Sequence, residues 1–94
     1  MTTSFRSRII VPEDVLVSKL DQESVLLHLG SESYFGLGEV GSRAWELLTT
    51  SESIDQALQV LLAEYEVDDA TLRRDLGELV DVLVERGLVT VVHA

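Results

Sequence analysis

The residues of this chain whose types could do chemistry are two histidines, several serines and a glycine-patterned turn. His28 falls inside a predicted strand and His93 in the last two residues, so neither has a second ligand at metal-site spacing. No serine sits in a Gly-x-Ser-x-Gly elbow, the turn that lifts a nucleophile out of a sheet. Gly36, Gly38 and Gly41 fit the Gly-x-Gly-x-x-Gly pattern of a pyrophosphate cradle. That motif belongs after the first strand of a parallel βαβ unit, with an acidic ribose ligand further on. Here a run of strands precedes it and two helical segments follow with no strand between them, so the glycines read as turn formers. Cysteine is absent, which removes disulfides and thiolate metal sites. No catalytic set, metal or cofactor is expected, and the chain does not read as an enzyme.

Nucleic acid is also a poor fit. Arg73 and Arg74 lie near the start of the last predicted helix, where a recognition helix would meet bases. Asp68, Asp69, Asp75 and Glu78 surround them, and seven basic residues stand against seventeen acidic ones. Phosphate contacts supply most of the affinity for DNA, so this balance opposes it. Residues 1–38 sum to −2 and residues 39–94 to −8. The acidic helical half either favours a basic partner or is simply a solvated face.

What remains is recognition of a peptide. Ser33-Tyr34-Phe35-Gly36-Leu37 is an aromatic strand that ends in a glycine-flanked turn and becomes an amphipathic helix by Glu39. Such a sheet edge beside a helix can receive an extended segment as an added strand. Alternation sends Tyr34 and Phe35 to opposite faces, one to the core and one within reach of a ligand.

The elements that position this edge follow from periodicity. Val15–Leu20 and Ser24–Leu29 read as strands joined by the polar turn Asp21-Gln22-Glu23, and Ser33–Leu37 completes a three-stranded antiparallel meander. Arg8-Ile9-Ile10-Val11 has the composition of a short strand stopped by Pro12, within a lead-in (residues 1–13) expected to be flexible. The first helix spans about Glu39 to Leu48, with Val40, Ala44, Trp45 and Leu48 on one face. Ser53 three residues before Gln56 forms a capping-box pattern opening the second helix, whose stripe is Ile54, Ala57, Leu58, Leu61, Leu62 and Tyr65. Asp68 or Asp69 caps the third helix, which ends at Gly87, and Leu88–Val92 is a β-branched tail. The expected fold class is α+β, a three-stranded antiparallel sheet followed by three helices, winged-helix-like.

The third helix carries a core seam of Leu72, Leu76, Leu79 and Leu83. A second seam of Arg73, Gly77, Val80 and Val84 widens the apolar arc beyond one packing contact. Arg74, Glu78, Asp81 and Glu85 occupy the solvated face. Gly77 lowers helix propensity by about 1 kcal/mol relative to Ala, which suggests that something approaches the backbone there. The visitor is either another part of the domain or a ligand in a groove lined by Arg73, Gly77, Val80 and Val84.

Bulk properties agree with one small domain, residues 1–94. An apolar content of 46% argues against disorder. No apolar run nears the roughly 18 residues that span a bilayer, and the start lacks a secretion-signal core. A soluble, cytoplasmic protein is expected, with no membrane or nucleic-acid partner, as a monomer or weak dimer.

The order of strand, strand and Tyr34-Phe35-Gly36-Leu37-Gly38-Glu39-Val40-Gly41-Ser42-Arg43-Ala44-Trp45-Glu46-Leu47-Leu48, then Ile54-Asp55-Gln56-Ala57 and Glu85-Arg86-Gly87-Leu88-Val89, resembles the PqqD-like family over roughly residues 14–92. These are precursor-peptide recognition elements of ribosomally made, modified peptides. The Tyr-Phe-Gly-Leu variant is most similar to the stand-alone leader-binding proteins of lasso-peptide pathways. The resemblance implies a non-catalytic protein that binds a precursor's leader by strand addition to the third strand against the third helix. It would present the leader to a maturation enzyme, a leader peptidase in lasso systems. Carried over residue by residue, the peptide-binding set is Ser33, Tyr34, Phe35, Gly36 and Leu37 on the edge, with Arg73, Leu76, Gly77, Val80, Asp81 and Val84 on the helix. Three other readings stay open: an acidic winged-helix regulator that binds protein, a chaperone for a radical-type peptide maturase, and a subunit that dimerises through its third strand.

Overall fold

The computed structural model describes residues 4–93. The elements run β1 (Arg8–Ile10), β2 (Val15–Leu20), β3 (Glu23–His28), β4 (Ser33–Leu37), α1 (Glu39–Thr50), α2 (Ile54–Glu64), α3 (Asp69–Glu85) and β5 (Thr90–Val92). β2, β3 and β4 form the antiparallel meander in that order, so the α+β class expected from the sequence is the one observed. The register pairs Leu26 with Phe35 and Ser24 with Leu37. Leu26, Ser24 and Leu37 are buried, which identifies the face that packs on the helices.

The chain's two ends form the short strands that their compositions allow, and these pair with each other. β1 and β5 pair antiparallel as a separate two-stranded sheet, with Ile9 opposite Val91. The Leu88–Val92 tail therefore joins the start of the chain and leaves the meander alone. Residues 4–13, expected as a flexible lead-in, are built into the fold. The Ser7 carbonyl accepts from the Ile54 N–H at 2.9 Å and the Phe5 carbonyl from the Asp55 N–H at 2.8 Å. These bonds satisfy donors that the first turn of α2 would otherwise leave unpaired. Ser7 is fully buried, and its hydroxyl lies 3.2 Å from His93 Nδ1. Residues 1–3 of the lead-in lie outside the described residues.

Local chemistry starts and stops the helices as the sequence suggests. Ser53 Oγ accepts from the Gln56 N–H at 3.1 Å, and Gln56 Oε1 accepts from the Glu52 N–H at 2.8 Å. This is the reciprocal logic of a capping box, displaced by one residue on the return bond. Asp68 is the cap of α3, accepting from the Thr71 N–H at 3.1 Å. The helix ends in a Schellman turn: Leu88 N–H donates to Leu83 C=O at 2.9 Å and Gly87 N–H to Val84 C=O at 3.0 Å. Gly87 takes φ +71°, where a Cβ would strain the backbone.

The core lies where the three helices meet the inner face of β3 and β4. Leu26, Ile54, Ala57, Leu58, Leu61, Val80 and Leu83 are fully buried, and Trp45 and Leu76 nearly so. Arg43 ties α1 to α2 with a two-pronged pair to Glu64, Nε to Oε1 at 2.9 Å and Nη2 to Oε2 at 2.6 Å. That hydrogen-bonded pairing holds the Glu64 carboxyl below the usual glutamate range.

Candidate docking groove

The meander has two edges, β2 and β4, and side-chain chemistry distinguishes them. An edge strand presents unpaired N–H and C=O groups, and proteins commonly guard it with charge. β2 carries Lys19, whose Nζ lies 3.5 Å from Glu46 Oε2 on α1, and Glu46 also pairs with Arg43. That exposed ion pair crosses the cleft between β2 and α1, which is lined by Lys19, Asp21, Ser42, Arg43, Glu46 and Tyr65. β4 carries Ser33, Tyr34, Phe35, Gly36 and Leu37, with no charge at any position. Among the described residues β4 pairs only with β3, so alternate backbone groups along it stay open. Gly36 is exposed, and an ideal Cβ on it would meet no atom within 4 Å. A second chain can approach this backbone without a steric guard.

Tyr34 and Phe35 point to opposite faces, as the alternation requires. Tyr34 is 69% exposed on the face away from the helices, across from Leu27. Phe35 lies on the helix side, half-buried, under the Arg86 guanidinium, whose carbon stands 5.4 Å from the ring centroid. The core-facing aromatic and the one flanking a docked segment on the helical side are thus the same residue.

α3 reaches β4 at one end and α1 at the other. Its C-terminal end meets Phe35 through Arg86. Its N-terminal half meets α1 at a small apolar pocket lined by Val40, Gly41, Ala44, Leu72, Asp75, Leu76 and Leu79, with Leu61 behind. α1 begins directly after β4, so this pocket continues the line of the edge. Val40 is 50% exposed here, although its spacing placed it on the buried stripe of the first helix. The stripe Asp75, Leu79, Val82 and Arg86, at helical spacings of four, three and four, joins the pocket to Phe35 and forms the helical wall.

This wall is not the one the sequence suggested. Val80 is fully buried in the core and presents no surface to solvent. Arg73 pairs with Asp69 at 3.3 Å and stands over the Phe5 ring, 5.5 Å from its centroid. Gly77 faces Phe5 as well. At about 100° per residue, the Arg73–Gly77–Val80–Val84 seam lies roughly 160° round the helix from the Asp75–Arg86 stripe. The lead-in covers its upper half. The visitor to Gly77 is therefore the chain's own Phe5. Val84 and Asp81 are exposed away from the pocket, whereas Leu76 lines its inner wall. Arg74 reaches Asp75 at 3.4 Å, so both arginines that could have met DNA are already engaged with carboxylates.

Gly77 is also not sterically required. A Cβ added there would stand 3.8 Å from the Phe5 ring, an ordinary contact. Gly77→Ala is expected to stabilise the chain by about 1 kcal/mol, the helix-propensity difference. A urea midpoint that falls instead would mean that α3 needs the glycine for another reason.

Sequence reasoning did not single out Val40, Asp75 and Leu79, which line the pocket, or Arg86, which stands over Phe35. The only signal was the parity of Phe35 with Leu37, which fixes the side of the sheet the wall must occupy.

Known proteins resemble the chain in sequence and in shape. Residues 23–89 match the family model described as coenzyme PQQ synthesis protein D (PqqD). The structure of TbiB1 in complex with the TbiA(beta) leader peptide is 38% identical and superposes with a TM-score of 0.80, covering 85% of this chain and 93% of that one. A lasso peptide synthetase B1 complexed with the leader peptide is 28% identical with a TM-score of 0.80, over 88% and 98% of the two chains. No curated protein matches the chain.

Proposed function

This chain belongs to the PqqD family, and on that premise we propose that it is a non-catalytic recognition protein for the leader of a lasso-type precursor peptide. The leader adds a strand to the β4 edge and packs against the Asp75–Arg86 wall of α3. The observation that carries this reading is the uncharged β4 edge beside an apolar pocket, in a molecule whose other edge is bridged by ions. The two leader-bound relatives support the choice of ligand, and the 38% identity supports carrying it to this chain.

Magnitudes fix the division of labour. Each added backbone hydrogen bond nets about 1 kcal/mol, while ordering each leader residue costs about 1–2 kcal/mol. Strand pairing therefore sets register at little net gain. Affinity comes from apolar leader side chains entering the pocket, each contributing about 1.5–3 kcal/mol on full burial. The net charge of −10 speeds capture of basic segments more than it tightens the complex. The face opposite the helices, with Leu16, Leu20 and Tyr34 exposed, stays uncovered while the groove is filled. It is the surface left for a maturation enzyme, a leader peptidase in this reading.

Titrating the TbiA(beta) leader peptide, and the leader of the chain's own precursor, into isotopically labelled protein tests the site. Amides of residues 33–37 and the methyls of Val40, Leu79 and Val82 are expected to shift together, with slowed exchange along β4. Shifts confined to β2 and α1 would overturn the assignment. A DNA-binding reading gains nothing from the structure, because Arg73 and Arg74 each already face a carboxylate.

A further inference from the structure

Lys19, Arg43, Arg73 and Arg74 each reach a carboxylate. Among the described residues Arg6, Arg8 and Arg86 do not, and of these Arg86 stands at the groove. An unpaired guanidinium is unexpected in a chain with seventeen acidic residues and seven basic ones. Arg86 is also held in place. Its backbone N–H is bonded to the carbonyls of Val82 and Val84, and its guanidinium lies over Phe35 at 5.4 Å. A guanidinium within cation–π range of a ring keeps N–H donors that can bind a carboxylate in two-pronged fashion.

We propose that Arg86 is a specificity-determining residue of the groove, taking the carboxylate of an acidic leader residue four positions from the apolar residue that fills the Val40–Leu79 pocket. This rests on the reading of β4 as the peptide edge. The spacing follows from geometry. From Leu76 and Leu79 to Arg86 the helix advances about 10–15 Å at 1.5 Å per residue. An extended chain covers that distance in about three to five residues. Side chains of a strand share a face only at even separations, which leaves four. The surrounding acidic surface repels carboxylates elsewhere on the leader, so Arg86 makes one acidic position favourable where neighbouring ones are not.

The test is selection from a displayed library of random 15-residue peptides on the full chain, repeated with Arg86→Glu and Arg86→Lys. Wild-type binders are expected to share an apolar residue with Asp or Glu four positions away. Arg86→Glu should replace that preference by Lys or Arg and weaken a wild-type-selected peptide about tenfold. Arg86→Lys should keep the acidic preference in weaker form. A merely structural role for Arg86 would lower the melting temperature of Arg86→Glu without moving the preference. Binders with no charge bias at that position, or with the same bias in Arg86→Glu, would overturn the proposal while leaving the groove intact. Failure of any peptide to enrich would overturn the peptide-binding reading itself and this inference with it.

Discussion

Replacing Val80 by arginine is expected to unfold the protein rather than report on peptide binding. Val80 is fully buried, between Leu76 and Leu83 on the inner side of α3. A guanidinium placed there has no carboxylate at hand. An uncompensated buried charge costs several kcal/mol, and the added volume about 1–3 kcal/mol more. A small domain has about 0.05–0.15 kcal/mol of stability per residue, so this one substitution consumes most of the total. The far-UV signal of Val80→Arg should lose its cooperative thermal transition. Val80→Ala, costing about 1–3 kcal/mol by analogy with other core truncations, should stay folded and keep its ligand. A well-folded Val80→Arg that had lost only binding would put Val80 back in the groove.

Leu79→Arg is expected to do what Val80→Arg cannot, removing binding while the fold persists. Leu79 is half-buried at the pocket mouth, four residues after Asp75 on the same stripe. An arginine there can lay its methylenes along the pocket, carry its charge to solvent and pair with Asp75. The pocket is then filled from within. Losing one buried apolar leader side chain, about 1.5–3 kcal/mol, weakens the leader roughly ten- to a hundredfold by fluorescence anisotropy. Unchanged affinity with an unchanged melting curve would remove the pocket from the binding site and leave only the strand edge.

The two substitutions are neighbours in sequence and opposite in expected effect, and that contrast measures what a helical pattern leaves open. Leu72, Leu76 and Leu83 are buried as their spacing predicts. Yet Leu79, a member of that seam in the sequence, is only half-buried, while Val80, assigned to the second seam, is fully buried. Periodicity fixes relative angles around a helix. The absolute rotation is set by what packs on each side. Here Phe5 covers the flank carrying Gly77, which leaves the Leu79 flank beside α1. Val40 was misplaced for the same reason: its helix is amphipathic, but its first turn overhangs the pocket. The chain ends were opaque because pairing of residues 8–10 with residues 90–92 spans the whole chain. No local pattern encodes which distant strand a short β-branched run will join.

Amino-acid order alone determined the hairpins, the helix starts at Ser53 and Asp68, the stop at Gly87 and the uncharged aromatic edge. Each of these depends on backbone preference or on chemistry within a few residues. Tertiary structure alone decided that the two ends pair with each other, that β4 keeps an open margin, and which flank of α3 faces it. Those outcomes come from contacts between segments far apart in the chain, where burial of one flank leaves the other at the surface.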